Sequence, residues 1–386
     1  MSATSRLTIL LSGMIAGDPG HGGATWAVLQ YLLGLRQLGH DVYFVEPINP
    51  ASVRPAGSPF SESHNAAYFR KVVEQFGLTD SAALLLRDSR TTVGLSYDAV
   101  REVARRTDVL INISGMLTDC TLIEPIPTRV YLDLDPAFIQ LWHAQGTDMR
   151  FDAHTHFVTV GQGIGQASCP VPTCGRAWIG TAQPVVLSQW PVAAEIRHNA
   201  LTTVGSWRGY GSVEHQGIHY GQKAHSLRQF IDLPMQTPEP FVLAMGIHRD
   251  ETKDLEALAR NRWRLLDPAD VAATPNEYRR FVQQSKAEFG VAKSGYVASR
   301  CQWFSDRSAV YLASGRPVVA QNTGFDQWLP TGRGLFAFET ASDVCAAIDA
   351  INADYAGHSA AARQIAVEYF DSDKVLSRLL AKVGAA

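Results

Sequence analysis

Two stretches of the chain place residues able to do chemistry at the mouth of an apolar helix. The first is Gly13-Met-Ile-Ala-Gly17-Asp-Pro-Gly20-His21-Gly22-Gly23, five glycines ahead of an apolar run. Glycines let backbone N–H groups converge, and a helix N-terminus adds partial positive charge, so this loop suits an anion or a sugar phosphate. It is neither a Gly-x-Gly-x-x-Gly fingerprint with a ribose acid at the right register nor a P-loop, since no Gly-Lys-Ser/Thr follows. The competing reading is a tight strand-to-helix turn. The second stretch is Phe289 to Phe325, which contains Lys293, Ser305, Asp306, Arg307, Ser308 and Gly324. Ser305 reads as an N-cap, and the first turn after it offers free amides, the Arg307 guanidinium and the Ser308 hydroxyl, the parts needed to hold a diphosphate.

Candidate bases are Asp119, Asp133, Asp135 and His21, all near expected strand ends. A carboxylate or imidazole there could take the proton of an attacking hydroxyl. Taken singly, each also reads as a cap, a turn or a solvated residue, and Asp135-Pro136 is a common turn pair. Cys169 and Cys174 lack a second Cys or His pair at zinc spacing, and His154 with His156 is a weak partner, so no metal site is expected. His215, His219 and His225 read as loop residues. Trp207, Trp263 and Trp303 either stack on a base or sugar face or pack in the core.

The elements that position these residues read as strand and helix in alternation, the pattern of a doubly wound parallel sheet. Leu7 to Leu11 is a strand, 24–38 an apolar helix stopped at Gly39-His40, and Asp41 to Glu46 the next strand. Arg6 and the apolar run after it superficially resemble a short signal peptide, but the run fits a buried strand leading into the glycine loop. Strands at 108–113, 129–134 and 156–160 complete the first series. Periodicity fails between Pro170 and Pro191, which places the interdomain connection near 185–200. A second series follows: strands at 201–205, 241–246, 262–266, 290–293 and 316–320, a helix over 306–314, and helices at 342–351 and 359–383. At 386 residues with 46% hydrophobic and 18% charged residues, the chain is a folded globular protein of two domains. A formal charge of -3 leaves no global basic field for nucleic acid or an anionic membrane. Five cysteines in a chain this long argue for a reducing cytoplasm.

The segment Ser305 to Gly324, with Gly315-Arg-Pro317-Val-Val-Ala inside it, resembles the C-terminal domain of the GT-B glycosyltransferases, whose pattern here is a Gly-rich turn, a helix, a small residue with Gly, then x-Pro-Val-Val and a Gly-rich loop. Gly22-Gly23 with Gly39-His40-Asp-Val is similar to the family's N-terminal unit. Leu201-Thr-Thr-Val-Gly205-Ser-Trp-Arg208 and Lys223 are similar to the Gly-Arg and Lys that contact the donor diphosphate, and Trp263 to Asp267 falls where the base is read. Two departures stand out. The retaining pattern's two glutamates, eight residues apart, are Gln302 and Val310 here, and Val accepts no hydroxyl hydrogen bond. Either Asp306 takes over that contact or the donor differs. The inverting branch has an Asp-Gln pair, matched in type by Asp326-Gln327.

The resemblance implies two Rossmann-like α/β domains facing across a cleft: 1–195 on the acceptor side, 196–365 on the donor side, and 366–386 as a helix crossing back to the first domain. It implies metal-independent transfer of a sugar from a UDP-, GDP- or dTDP-sugar, with no tightly bound cofactor, to a small-molecule acceptor. Donor contacts would come from Gly22, Gly23, Arg208, Lys223, Lys293, Ser305, Asp306, Arg307, Ser308 and Gly324, and catalysis from Asp119, Asp135 or His21. No nucleic acid and no membrane span are expected, and the protein would be a cytoplasmic monomer or homodimer. The alternatives are a catalytically silent nucleotide-sugar-binding protein and a nucleotide-sugar epimerase.

Overall fold

The structure is a computed structural model and describes residues 6–385. An eight-stranded sheet is formed by β1 (Thr8–Ser12), β2 (Asp41–Ile48), β3 (Ala82–Leu86), β4 (Thr92–Gly94), β5 (Val109–Ile113), β6 (Thr128–Asp133), β7 (His156–Thr159) and β8 (Trp178–Gly180). Its order is β4-β3-β2-β1-β5-β6-β7-β8, with β4 alone antiparallel. β1 sits between β2 and β5, so the apolar N-terminal run is a central strand of a parallel sheet, buried on both faces. The second sheet contains β9 (His198–Ser206), then, after the hairpin β10 (Val213–His215) and β11 (Ile218–Tyr220), β12 (Phe241–Gly246), β13 (Arg264–Leu266), β14 (Ser285–Gly290), β15 (Val318–Gln321) and β16 (Leu335–Phe338). Its order is β13-β12-β9-β14-β15-β16, all parallel.

Each sheet is a doubly wound α/β unit, as expected. Some elements differ from the sequence reading. The strand expected at 290–293 ends at Gly290 and begins at Ser285. Glu288 interrupts its apolar pattern, yet the residue is fully buried, its charge met by Arg307. β3 escaped the reading because a five-residue apolar run fits a strand and a buried helix segment equally well. The helix expected over 359–383 is two, Tyr355–Ile365 and Ser372–Lys382, separated by a π-turn and restarted by the Asp371 cap.

The units are joined by 181–197 and again by the C-terminal segment. Helix Ser372–Lys382 lies on helix Gly22–Gln37, where a Cβ on Gly34 would stand 2.6 Å from Leu376 Cδ1. Gln37 Nε2 donates to Asp373 Oδ1 at 2.8 Å, fixing the same contact from its rim. One apolar cluster runs from β1 through Trp26 and Trp190 to Tyr278, Phe304 and Phe370, so the two sheets share a core. Among the described residues no helix is long and apolar enough to cross a membrane.

Candidate functional site

The glycine loop leaves the carboxyl end of β1, where open α/β sheets bind ligands. Its shape is held from beneath. Glu46, fully buried on β2, accepts the Ala16 amide at 2.9 Å and the Gly17 amide at 2.6 Å. Burial pushes this carboxyl up to about 7 despite those amides. Asn65 Nδ2 donates to the Ala16 carbonyl at 2.7 Å and closes the clasp. The far end of the loop meets the second domain: the Gly22 amide donates to the Ala272 carbonyl at 2.8 Å, and Trp26 Nε1 to the Pro275 carbonyl at 2.8 Å. A Cβ on Gly22 would stand 2.3 Å from the Thr274 carbonyl oxygen, so only glycine allows this approach.

Between loop and second domain lies a cavity of about 530 Å³. One wall is Pro19 to His21, Gly23 and Ala24; the other is the carboxyl end of β9 (Val204 to Ser206), Gly246 at the end of β12, Asp267 to Ala273 in part, Tyr278, Asp306 and Arg307. Its volume suits a nucleotide-sized ligand. The β9 end carries the positive charge. A Cβ on Gly205 would stand 2.9 Å from Lys223 Nζ and 3.8 Å from Arg307 Nη1, so a side chain here would crowd both cations. Burial, then Arg307 and Lys293, hold Lys223 well below the ordinary lysine range. Arg307 is anchored on the opposite side by its Nε, which donates to Glu288 Oε1 at 2.5 Å, and by Nη1, which donates to the Val204 carbonyl at 3.2 Å. Glu288 Oε2 is buried without a hydrogen-bond partner among the described residues.

His21, Gly23, Asp306 and Arg307 line the cavity, and Lys223 Nζ lies behind Gly205, outside that lining. His21 is half exposed, with Nδ1 3.2 Å from Asp18 Oδ2. The other expected site residues lie elsewhere. The Gly22 amide is taken up by Ala272 and is not open to an anion. Ser305 and Ser308 are buried behind the cavity-facing side of helix Asp306–Ala313. Gly324 packs on Arg300 and Gln302 at φ 94°. Arg208 is ion-paired to Glu251, away from the cavity wall. Lys293 is ion-paired to Asp135: its Nζ lies 2.9 and 3.0 Å from the two carboxylate oxygens, among the rings of Phe138, Tyr210 and Tyr296, and the Tyr210 and Tyr296 hydroxyls donate to the same carboxylate. Asp135 is therefore a junction between the domains, and Lys293 is a neutralised cation in this arrangement.

Asp119 caps helix Cys120–Ile123, accepting the Thr121 amide at 2.9 Å and the Tyr97 hydroxyl at 2.7 Å, in a different cavity. Asp133 is fully buried and accepts Gln140, Thr159 and the Asp135 amide, which organises the turn after β6; burial raises it to about 6. Gln302 Nε2 donates to Gln166 and Gln327, and Val310 is core. Trp207 and Trp263 are core residues whose indole N–H groups donate to Asp254 and the Ile231 carbonyl. Sequence reasoning missed Gly246 and Tyr278; the glycine closing the expected strand 241–246 was the available signal for the first. Among the described residues no group of three or more His, Cys, Asp or Glu side chains is placed to hold a metal ion.

Two Rossmann-like domains with a ligand-sized cavity at their facing strand ends, and a last helix returning to the first domain, define the GT-B fold. Solved structures agree over the whole chain. HepE of Anabaena in complex with UDP-glucose is similar at a TM-score of 0.60 and 13% identity, covering 99% of this chain and 100% of its own. An alpha-glucosyltransferase in complex with UDP and a 13-mer DNA is similar at 0.62 and 12%, covering 98% and 100%. A glycosyltransferase from Rickettsia africae is similar at 0.54 and 12%, covering 98% of both chains. No family model and no curated protein matches the sequence.

Proposed function

We propose that the chain is a glycosyltransferase whose nucleotide diphosphate sugar occupies the cavity between the glycine loop and the end of β9. The observation that carries this reading is the pair Lys223 and Arg307 beside Gly205. Burial and the neighbouring Arg307 disfavour the charged form of Lys223, and a diphosphate entering beside Gly205 would favour it. The UDP and UDP-glucose held by similarly folded proteins support a uridine diphosphate sugar as the first ligand to test. In this reading the diphosphate lies on Lys223, Arg307 and the Gly205 and Ser206 backbone, and the nucleoside extends along Gly246 and Asp267 to Ala273. The cations neutralise the leaving diphosphate, so no metal is required.

His21 is the base this arrangement favours. It lines the cavity from the first domain, and Asp18 beside Nδ1 orients the ring so that Nε2 can take the acceptor proton. The net charge of -3 supports a small-molecule acceptor over nucleic acid, although three of the similar structures, all of an alpha-glucosyltransferase, hold DNA. Calorimetric titration with UDP, GDP and dTDP tests the donor site: one should bind saturably, and loss of that binding in Lys223→Met would support the placement. Binding of none of them overturns it. Transfer or hydrolysis of the matching sugar donor separates an enzyme from a silent binder.

A further inference from the structure

A second cavity, of about 350 Å³, opens at the same carboxyl edge of the first sheet. Its walls are Pro47 and Leu85 near the ends of β2 and β3, the turn Arg87 to Arg90, Tyr97, and Leu117 to Asp119 beyond β5. The Arg87 amide donates to the Ile48 carbonyl at 2.9 Å, which fixes the turn on β2. Arg87 and Arg90 both line this cavity. Arg87 Nε is buried with no hydrogen-bond partner, and one of its terminal nitrogens makes only a 3.4 Å contact with the Met116 carbonyl. Arg90 lies over the Tyr97 ring with its guanidinium carbon 5.5 Å from the centroid.

Asp88 and Asp119 line the same cavity, so its formal charge is balanced, and what sets the arginines apart is that no carboxylate among the described residues pairs with them. Asp119 is engaged by the Tyr97 hydroxyl and the Thr121 amide, and Asp88 is exposed on the turn at φ 58°. Neither arginine is in an ion pair among the described residues, whereas Arg101, Arg105 and Arg176 in the same domain each are. With neither guanidinium ion-paired among the described residues and Arg87 making only a long contact through a terminal nitrogen, an anionic group entering the cavity would meet donors that the chain leaves little used. The remaining surface, from Pro47, Leu85, Leu117 and the Tyr97 ring, is apolar.

We propose that this cavity is a second binding site, for a small molecule with an apolar body and one anionic group, a carboxylate or a phosphate ester, held between Arg87 and Arg90. The proposal stands on these side chains and does not depend on the donor reading. The site adjoins the first one through a single strand: Pro47 follows Glu46, the residue that clasps the glycine loop.

The test is calorimetric titration with phenyl phosphate, benzoate and, as the neutral control, phenol, on protein saturated with UDP so that the first cavity is closed to phosphate. At least one anion should bind saturably and phenol should not, and whichever binds assigns the phosphate or carboxylate class. Arg87→Gln and the solvent-facing Arg90→Gln should each weaken that binding at least tenfold, the loss of one charge-assisted contact. The proposal falls if neither anion binds, if phenol binds as well as they do, or if both arginine variants keep the parent affinity. If the chain binds no UDP, the same arginine dependence is read without it, so failure of the donor reading does not mask the result.

Discussion

Asp135 separates two roles that a sequence alone leaves open, a catalytic base and a bond between domains. Its carboxylate receives Lys293 Nζ at 2.9 and 3.0 Å together with two tyrosine hydroxyls, and the two charged side chains are 23% and 22% exposed. Removing one partner of a buried pair costs about 3–5 kcal/mol, and partial exposure moves this pair to the lower end, about 3 kcal/mol. Asp135→Leu should lower the stability measured by urea unfolding, followed by tryptophan fluorescence, by that amount. Lys293→Met should cost a similar amount, because the carboxylate is then left without its cation. The double variant should recover much of the loss, with a coupling energy of about 1.5–3 kcal/mol, since neither charge is left alone. An Asp135→Leu protein within about 0.5 kcal/mol of the parent, or strictly additive single costs, refutes the junction. A catalytic base would behave differently: Asp135→Asn would cut turnover by about 10²–10⁴-fold at nearly unchanged stability.

Lys223→Met and Arg307→Ala should each weaken nucleoside diphosphate binding by about 1.5–3 kcal/mol in calorimetry, and parent-like affinity in both would remove the diphosphate from the β9 end. Glu46 is raised to about 7 from 4.5 by burial, so the folded state prefers its proton; its contribution is complete below about pH 4.5 and is lost as pH rises through 7. Across that window it accounts for about 3 kcal/mol, and Glu46→Gln should flatten this limb of the urea-midpoint profile. His154 is lowered to about 4 from 6.5 by burial and acts with the opposite sign, its stability being lost as pH falls from 6.5 through 4, so His154→Gln should flatten the acid limb. Gly22→Ala should destabilise the interdomain contact and weaken nucleotide binding together, since its Cβ would stand 2.3 Å from the Thr274 carbonyl oxygen; a variant that matches the parent in both assays would show that the backbones can part without cost.

The sheets were legible because buried parallel strands write themselves as short apolar runs closed by Gly or Asp-Pro, as Asp108 to Ile113 and Phe241 to Gly246 do. Glu288 broke that rule, and its strand was misplaced as a result. Arg307 was legible as a first-turn cation, because helix starts have a local signature. What local patterns do not carry is the partner of a charge. Lys293 reads like a phosphate ligand, yet its counter-ion stands 158 residues away, and Arg208 meets Glu251 across 43 residues. Whether a lysine faces a ligand or a carboxylate is decided by tertiary placement.

The chain passes between its domains twice, and the two passes are stitched to each other: the Val185 amide donates to the Phe370 carbonyl at 2.6 Å, and the Ser372 amide to the Val185 carbonyl at 2.9 Å. Two tethers joined at one point act as a pivot, not as a flexible string. They confine relative motion of the domains largely to swing about that point, so the glycine loop and the β9 end can separate and return in the same register. A stroke of that kind admits a large ligand without dismantling the wall that recognises it.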